Sequence, residues 1–437
     1  MKKESQIKNF IKYITLNVLG MMGISCYILA DTFFIANGVG ANGLAALNLA
    51  IPIYSFIHGC ALMFGIGGAT KYSIAKSQGE HHRANLIFTN AILASLLCSL
   101  LFVFFGLFCS HALTALLGAD PELFDMTNIY LKVILLFSPF FMLNELLLAF
   151  VRNDGAPSLA TTAMVSGSVA NIILDNVFIY PLQMGIFGAV LATGIAPIIS
   201  MLILSVHKLT KRNHFRLTKL IVYPKHIIET IIIGVPSLIN EVSAGLVMIV
   251  FNILILNISG NIGVAAYGII ANIALVTTAI YTGIAQGVQP LLSDAYGKGN
   301  TNAIGTYKKY ALLTIAAVSI LLYTGIFLYH HEITAIFNSE QNQQLQIIAE
   351  TGLQLYFTSL PFVGINILFS TFFTSVNIPL PAHIISILRG LIIVVPLAYV
   401  LSVLFNLTGI WLTVTATEAI TMLIGLILTF KHKKGSV

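Results

Sequence analysis

Charge is what this chain has least of. Only 9% of its 437 residues are Asp, Glu, Lys or Arg, against 57% hydrophobic residues, and the mean hydropathy is +0.92. A soluble domain is about a quarter charged. A soluble fold of this length is therefore excluded, and most of the surface must face lipid. Cysteine is nearly as scarce. Cys26, Cys60, Cys98 and Cys109 all lie in apolar runs, and no two have C-x-x-C spacing. That argues against a zinc site or a redox pair and leaves four small buried hydrophobes. Missing, too, is a small-x-small cleavage site after the opening MKKESQIKNF. The apolar run that follows is too long for a secretion signal and carries Asp31, so it is predicted to stay as a first membrane helix.

A membrane-spanning helix needs about 20 mainly apolar residues. Twelve stretches qualify, roughly 11–36, 44–74, 85–109, 124–151, 156–181, 186–207, 228–257, 262–293, 306–330, 347–375, 380–405 and 410–430. They are called spans 1 to 12 below. Pro52, Pro139, Pro236, Pro361 and Pro396 fall inside them and predict kinks, because proline withdraws a backbone donor. Lys and Arg cluster at 2–12, 71–83, around Arg152, and at 208–225, 298–309 and 431–434. The alternate connections 37–43, 110–123, 182–185, 258–261, 331–346 and 406–409 contain neither. By the positive-inside rule both termini are expected in the cytoplasm of a multi-pass cell-membrane protein. The net charge of +6 is thus an orientation signal, and nucleic acid is not an expected partner.

The most polar connection, KLTKRNHFRLTKLIVYPKH, lies at the midpoint. It divides the chain into an N-lobe (1–207), a cytoplasmic linker (208–226) and a C-lobe (227–437). The halves repeat. Gly43-Leu44-Ala45-Ala46 recurs 220 residues on as Gly263-Val264-Ala265-Ala266, and Gly67, Ala75 and Gly79 meet Gly287, Ala295 and Gly299 at the same offset. Further on, Gly185-Ile186-Phe187 is similar to Gly409-Ile410-Trp411, and Ala192-Thr193 matches Ala416-Thr417. Six spans per half is an even number, so the repeats are parallel. The predicted fold class is all-α: a polytopic membrane protein with twelve spans in two six-helix lobes around a central cavity, as in transporters.

The stretch G-V-G-A-N-G, Gly38 to Gly43, matches the dinucleotide fingerprint formally. It lacks the preceding strand and the acid about twenty residues later, where Met63 stands. A turn between spans 1 and 2 accounts for it.

Five acids lie within spans and away from their ends: Asp31, Glu145, Asp175, Glu241 and Glu418. A charge at mid-bilayer costs ~2.5–3.5 kcal/mol on insertion scales, so each needs a partner, water or neutralisation. Basic candidates inside spans are Lys132, which can snorkel, and Arg389, an internal counterion for Glu418 or Glu241. Asp175 is the most informative. Met164, Ser168, Asn171 and Asp175 share one helical face, which gives a polar stripe on an otherwise lipid-like helix. Carboxylate and amide oxygens one turn apart suit a hard cation, and a desolvated carboxylate suits a proton. The plainer alternative, hydrogen bonding between helices, fits Ser168 better than Asp175. Asp31 has Tyr27 one turn before it. Span 6 offers Thr193 one turn before Pro197, which frees a backbone carbonyl. The C-lobe has Phe251 where Asp31 would repeat and Leu397 to Tyr399 where Asp175 would. The ion site is therefore expected in the N-lobe.

In the order of its motifs the chain resembles the multidrug and toxic compound extrusion (MATE) family, in the superfamily that also holds lipid-linked oligosaccharide flippases. The resemblance covers the whole chain. It is carried by D-T-x-F at Asp31 to Phe34, G-x-G-G-A-T at Gly65 to Thr70, A-K-S-Q-G-E at Ala75 to Glu80, R-N-D-G-x-P at Arg152 to Pro157, N-I-I-L-D at Asn171 to Asp175 and G-I-x-G-A-x-x-A-T at Gly185 to Thr193. The resemblance implies export of amphipathic, often cationic compounds, driven by Na⁺ or H⁺ and with no cofactor. It implies a cation site at Asp31, Asn171, Asp175 and Thr193 (metal ligands if the ion is Na⁺). A drug cavity would be lined by Tyr27, Asn144 and Met164, with Ser168 on the same stripe. Asn176 stands where many members have proline. The tenth span has no acid beyond Glu350 near its start and Glu241 sits about a turn early, which argues against a C-lobe cation site. Glu241, Glu418 and Arg389 are left with structural or coupling roles. The expected partners are a small amphipathic substrate and membrane lipid, with the protein a monomer. Two alternatives weigh less. A flippase for lipid-linked precursors would need a strongly cationic cavity, and an intramembrane enzyme would need a hydrolase motif.

Overall fold

The computed structural model of the protein describes residues 3–219, 222–338 and 341–435. The extreme ends of the two lobes, and Leu220 and Ile221 of the linker, lie outside the described residues. Among the described residues there is no β-strand. Among the same residues, ten helices are long and apolar enough to cross a membrane. Two of them, Pro224–Gly297 and Pro379–Lys431, hold 74 and 53 residues, enough for two crossings each. The twelve spans expected are therefore present. Span 1 is Lys3–Gly38, span 2 Ala41–Ser77, span 3 His81–Phe108, span 4 Phe124–Asn153, span 5 Pro157–Ile179, span 6 Gly185–Leu209, span 9 Thr301–Leu328 and span 10 Gln343–Ser375.

Two expected loops shrink to single-residue bends. Spans 7 and 8 meet at Gly260 (φ 62°), and spans 11 and 12 meet at Asn406 (φ 50°). Glycine enters the left-handed region freely and asparagine tolerates it, so one residue reverses the chain. Two other connections contain short helices, Ser110–Leu116 and His330–Phe337. Span 10 tightens to a 3₁₀ turn at Phe357–Ser359 just before Pro361, and span 11 widens to a π turn at Leu388–Ile392 before Pro396. These are two of the expected proline interruptions.

Burial divides the side chains into two large apolar cores. One gathers spans 2 to 6, from Leu47 to Leu204, with Ile35 of span 1. The other gathers spans 7 to 12, from Phe251 to Trp411, with Phe10 and Ile14 of span 1. The exchange is mutual, since Ile227, Ile231, Val235 and Leu238 at the start of span 7 pack on the first core. The lobes thus interlock on the face that carries the basic residues.

Small residues make that interlock possible. A Cβ on Gly67 would run into the Thr230 carbonyl, and one on Gly234 into the Met63 carbonyl. One on Gly287 would sit 2.9 Å from the Tyr13 carbonyl, and one on Gly283 would sit 2.7 Å from Val18 Cα. Gly67 and Gly287 are the repeat-related pair noted in the sequence. Each lets the opposite lobe's first helix lie against its backbone. Polar contacts finish the seam. Asn153 Nδ2 donates to Gln289 Oε1 (2.9 Å), Gln289 Nε2 donates to Thr70 Oγ1 (2.9 Å), and Lys71 pairs with Glu229 (3.3 Å).

The linker is bound to the first lobe. Arg216 N, Thr218 N and Tyr223 N donate to Asn85, Thr89 and Asn90 of span 3, and Phe215 is buried against Phe88 with ring centroids 4.5 Å apart. Its buckle is Asp154, whose side chain is wholly buried between spans 4 and 5. Asp154 accepts from Tyr72 Oη (2.7 Å), Lys76 Nζ, His207 Nε2 (2.8 Å) and the His214 backbone N (2.8 Å). Burial pushes its carboxyl up. The Lys76, His214, Tyr72 and His207 hydrogen bonds outweigh burial and hold it below the usual carboxylate range.

Gly234→Ala is expected to overpack the seam by ~1–3 kcal/mol and lower the unfolding midpoint in detergent. Gly245→Ala, with nothing within 4 Å, leaves it unchanged. An equal response of the two variants would remove the seam from the account. Asp154→Ala strands Lys76 and His207 without their acceptor. It is expected to speed hydrogen exchange at the His214 amide at least about tenfold, on the scale of a lost charge-assisted bond. A group with a lowered folded pKa stabilises above its unfolded value, about 3.9 for Asp, and loses this only as pH falls through the folded value. Protection of the His214 amide against opening is therefore expected to persist from pH 8 down to 5, after correction for the intrinsic exchange rate.

Candidate functional site

Three neighbouring spans of the first lobe bring the expected cation residues together. Asp31 lies two turns from the end of span 1, Asn171 and Asp175 lie one turn apart on span 5, and Thr193 lies in the middle of span 6. All four are buried, with Asn171 and Asp175 fully so. The Asp31 and Asp175 carboxyl groups face each other at hydrogen-bonding range. Asn171 spans the rest. With its amide nitrogen toward the carboxylate it donates to Asp175 Oδ2 over 3.1 Å, and its oxygen accepts from Thr193 N over 3.2 Å. Thr193 Oγ1 turns back to the Ala189 carbonyl (3.2 Å). Pro197, inside span 6, leaves the Thr193 carbonyl without its helical donor.

This cluster is under-satisfied. Asp31 Oδ1 and Asp175 Oδ1 are buried with no hydrogen-bond partner. A buried unpaired acceptor costs about 1–3 kcal/mol, more when charged. No group of three or more His, Cys, Asp and Glu side chains is placed to hold a metal among the described residues. The donor set is two carboxylates with amide, hydroxyl and carbonyl oxygens beside them. It suits a monovalent hard cation or a proton, not a transition metal.

Tyr130 of span 4 completes the cluster and was missed from the sequence. It is buried against Thr193, close to both acids. Nothing singles it out, because Asp125, Thr127, Asn128 and Lys132 make that end of span 4 polar on several sides.

The residues expected to line a drug cavity have other neighbours. Met164 and Ser168 face Gly20 and Gly23 of span 1, and Ser168 Oγ donates to the Met164 carbonyl (2.9 Å). The two glycines let spans 1 and 5 close on each other, so these side chains are walled in. Tyr27 meets Tyr54, and Asn144 is buried with its oxygen unpartnered. A cavity of about 390 Å³ lies between the lobes and is lined by none of these four. Arg152, Glu241, Arg389 and Glu418 supply its charged groups, and Asn240, Gln286 and Gln289 its amides. Glu241 Oε2 lies 3.4 Å from His58 Nδ1 of the other lobe. Of Arg389's two candidate partners, the geometry gives Glu418. Arg389 Nε and Nη2 both donate to Glu418 Oε1, at 2.9 and 2.7 Å.

Known proteins of the same shape are numerous. The MatE family model matches residues 18–177 and 236–400, one segment in each half. The multidrug export protein MepA of Staphylococcus saprophyticus is 26% identical over 431 residues, covering 98% of this chain and 94% of that protein. MepA of Staphylococcus aureus is 25% identical over 415 residues, covering 94% and 91%. A solved structure described as the outward-facing conformation of a multidrug resistance MATE family transporter superposes with a TM-score of 0.92 at 22% identity, covering 98% and 96%. A transporter from Pyrococcus furiosus, reported to have a binding pocket of reverse polarity, gives 0.91 at 22%, covering 98% and 96%.

Two carboxylates sharing one dry site repel when both are ionised. Asp175→Asn is therefore expected to raise the unfolding midpoint of the ligand-free protein at pH 8 by a few degrees. Thermal scanning in detergent reads it, and a lowered midpoint would mean that Asp175 serves packing.

Proposed function

Because the chain belongs to the MatE family, we propose that it exports amphipathic, often cationic small molecules across the cell membrane in exchange for Na⁺ or H⁺. It is a polytopic membrane transporter and not an enzyme. The proposal extends to a monomer with both termini in the cytoplasm, an N-lobe at 1–207, a linker at 208–226 and a C-lobe at 227–437. The observation that carries the coupling is the facing pair Asp31 and Asp175, each buried with one oxygen unpartnered.

The mechanism is alternating access. With the basic face cytoplasmic, the glycine seam seals the inside and the cavity faces outward. Na⁺ or H⁺ enters and neutralises the two acids. Asn171, which bridges Asp175 and Thr193 when the site is empty, releases one of them to accommodate the ion. Spans 1, 5 and 6 repack. A ligand shifts such an equilibrium only by its differential affinity for the two states. Two bare carboxylates favour an organic cation, and two discharged ones do not. That difference links entry of the ion to departure of the cargo. Oxygen donors from Asn171 and Thr193 favour Na⁺, since a proton needs only a carboxylate.

The flippase reading has two arginines in the cavity in its favour. Glu241 and Glu418 line the same cavity, so its fixed charge is balanced rather than strongly cationic.

Proteoliposomes loaded with a fluorescent organic cation are expected to lose it under an inward Na⁺ or pH gradient imposed alone. Asp175→Asn lowers that exchange at least about tenfold, on the scale of a lost charge-assisted contact, while the protein remains in the membrane. Exchange at the wild-type rate in this variant would refute the coupling scheme.

A further inference from the structure

We infer that the C-lobe wall of the central cavity is a second recognition site, built around Arg389, for a carboxylate or similar acceptor oxygen on the cargo. This rests on the export reading above and adds to it a preference in cargo chemistry.

Arg389 sits on the π turn Leu388–Ile392, in the middle of span 11. Such turns are rare and gather at functional sites. The turn brings the backbone against span 7, where a Cβ on Gly390 would run into Ser243 Oγ. The guanidinium has five N–H donors on a planar fork. One edge, Nε and Nη2, is spent on Glu418 Oε1. Nη1 lies on the opposite edge, and no acceptor is paired with it among the described residues. Arg389 lines the cavity, so those donors are free for a ligand.

Glu418 is not free to bind a cation. Its second oxygen accepts from Asn366 Nδ2 (2.7 Å), and the same amide holds its backbone carbonyl (2.8 Å). Other polar atoms on the cavity wall lack partners. Ser243 Oγ, Thr417 Oγ1 and Arg152 Nε are buried and unpaired, although all three residues line the cavity. Each of these atoms can donate. Glu241, the remaining carboxylate on the wall, stands against His58. The buried unpartnered atoms on this wall can therefore all donate, whereas those of the first-lobe cluster, Asp31 Oδ1 and Asp175 Oδ1, are carboxylate oxygens.

A purely structural role accounts poorly for this. A buried ion pair is often no more stabilising than apolar residues of the same volume, and it needs neither a π turn nor an open guanidinium edge. A cargo with an amine at one end and a carboxylate at the other would find Glu241 and the open edge of Arg389 on the same cavity wall. The cavity volume of about 390 Å³ admits a drug-sized molecule.

The test uses a matched pair of dyes, the cationic ethyl ester rhodamine 6G and its free acid rhodamine 19. They share rings and amines and differ in the carboxylate. Binding to the full chain in detergent is read by fluorescence anisotropy, and export is read in proteoliposomes. Wild type is expected to bind and export both. Arg389→Gln combined with Glu418→Gln leaves no stranded charge, and it is expected to weaken the acid about tenfold while the ester changes less than twofold. Ser243→Ala with Thr417→Val, which spares the ion pair, weakens the acid alone by a smaller factor. Equal losses for the two dyes, or an unchanged acid, overturn the inference. So does wild type that handles the ester and ignores the acid, which leaves the export reading standing. Wild type that handles neither dye overturns both readings.

Discussion

The buried and membrane-embedded acids of this chain answer to one constraint: an ionised group in a low-dielectric surround must find partners inside the protein or be left for a ligand. The constraint sorts the carboxylates. Asp154 collects donors from four residues and becomes the buckle of the linker. Glu418 is clamped by Arg389 and Asn366. Glu241 stands against His58, and Glu145 has His58 and Arg152 near it. Asp31 and Asp175 are different. Each keeps a buried oxygen without a partner, and each has the other, a like charge, as its neighbour. At ~2.5–3.5 kcal/mol for each mid-membrane charge, the protein's own groups leave this pair incompletely compensated, which is the ground for the cation coupling proposed above.

The duplication supplies the second constraint. Two parallel six-span repeats would give two separate bundles if each first helix stayed within its own repeat. Instead Phe10 and Ile14 of span 1 join the second core, and Ile227 and Ile231 of span 7 pack on the first. The exchange needs helices to approach at backbone distance, and the repeat-related Gly67 and Gly287 provide that on both sides. The ends of spans 2 and 8 meet by the same logic, with Gly297 against Ser77, its repeat-related residue. The seam and the symmetry are thus one feature.

Much of this was legible in the sequence because lipid imposes simple rules. Apolar length gave the spans, basic loops gave the alternation, and glycine spacing gave the repeat. The polar stripe on span 5 pointed to Asn171 and Asp175, since amides and acids on a lipid-like helix must face something polar. Other features left no local mark. Tyr130 is one aromatic among many in span 4. The bends at Gly260 and Asn406 look like short loops in one dimension. The belted linker reads as a polar tether, because its acceptors Asn85, Thr89 and Asn90 come from a helix more than a hundred residues earlier. Ser168 and Met164 share a face with Asp175, yet Gly20 and Gly23 close that face a few turns down. A helical face predicts direction, and the neighbouring helix decides what lies there.

Span 1 connects the two constraints. Near one end it carries Asp31, opposite Asp175. Near the other, Tyr13, Ile14 and Val18 lie against Gly287 and Gly283 of the second lobe. A packed helix transmits a small displacement along its length because its neighbours leave few voids. Any change that alters how Asp31 sits against Asp175 therefore acts on the helix that also forms half of the seam. Span 7 forms the other half but has Phe251, fully buried, where the acid would repeat. The seam is thus symmetric in shape and asymmetric in chemistry. One of its two helices carries an acid of the buried cluster, and the other carries at the repeat-related position a phenylalanine packed in the second core.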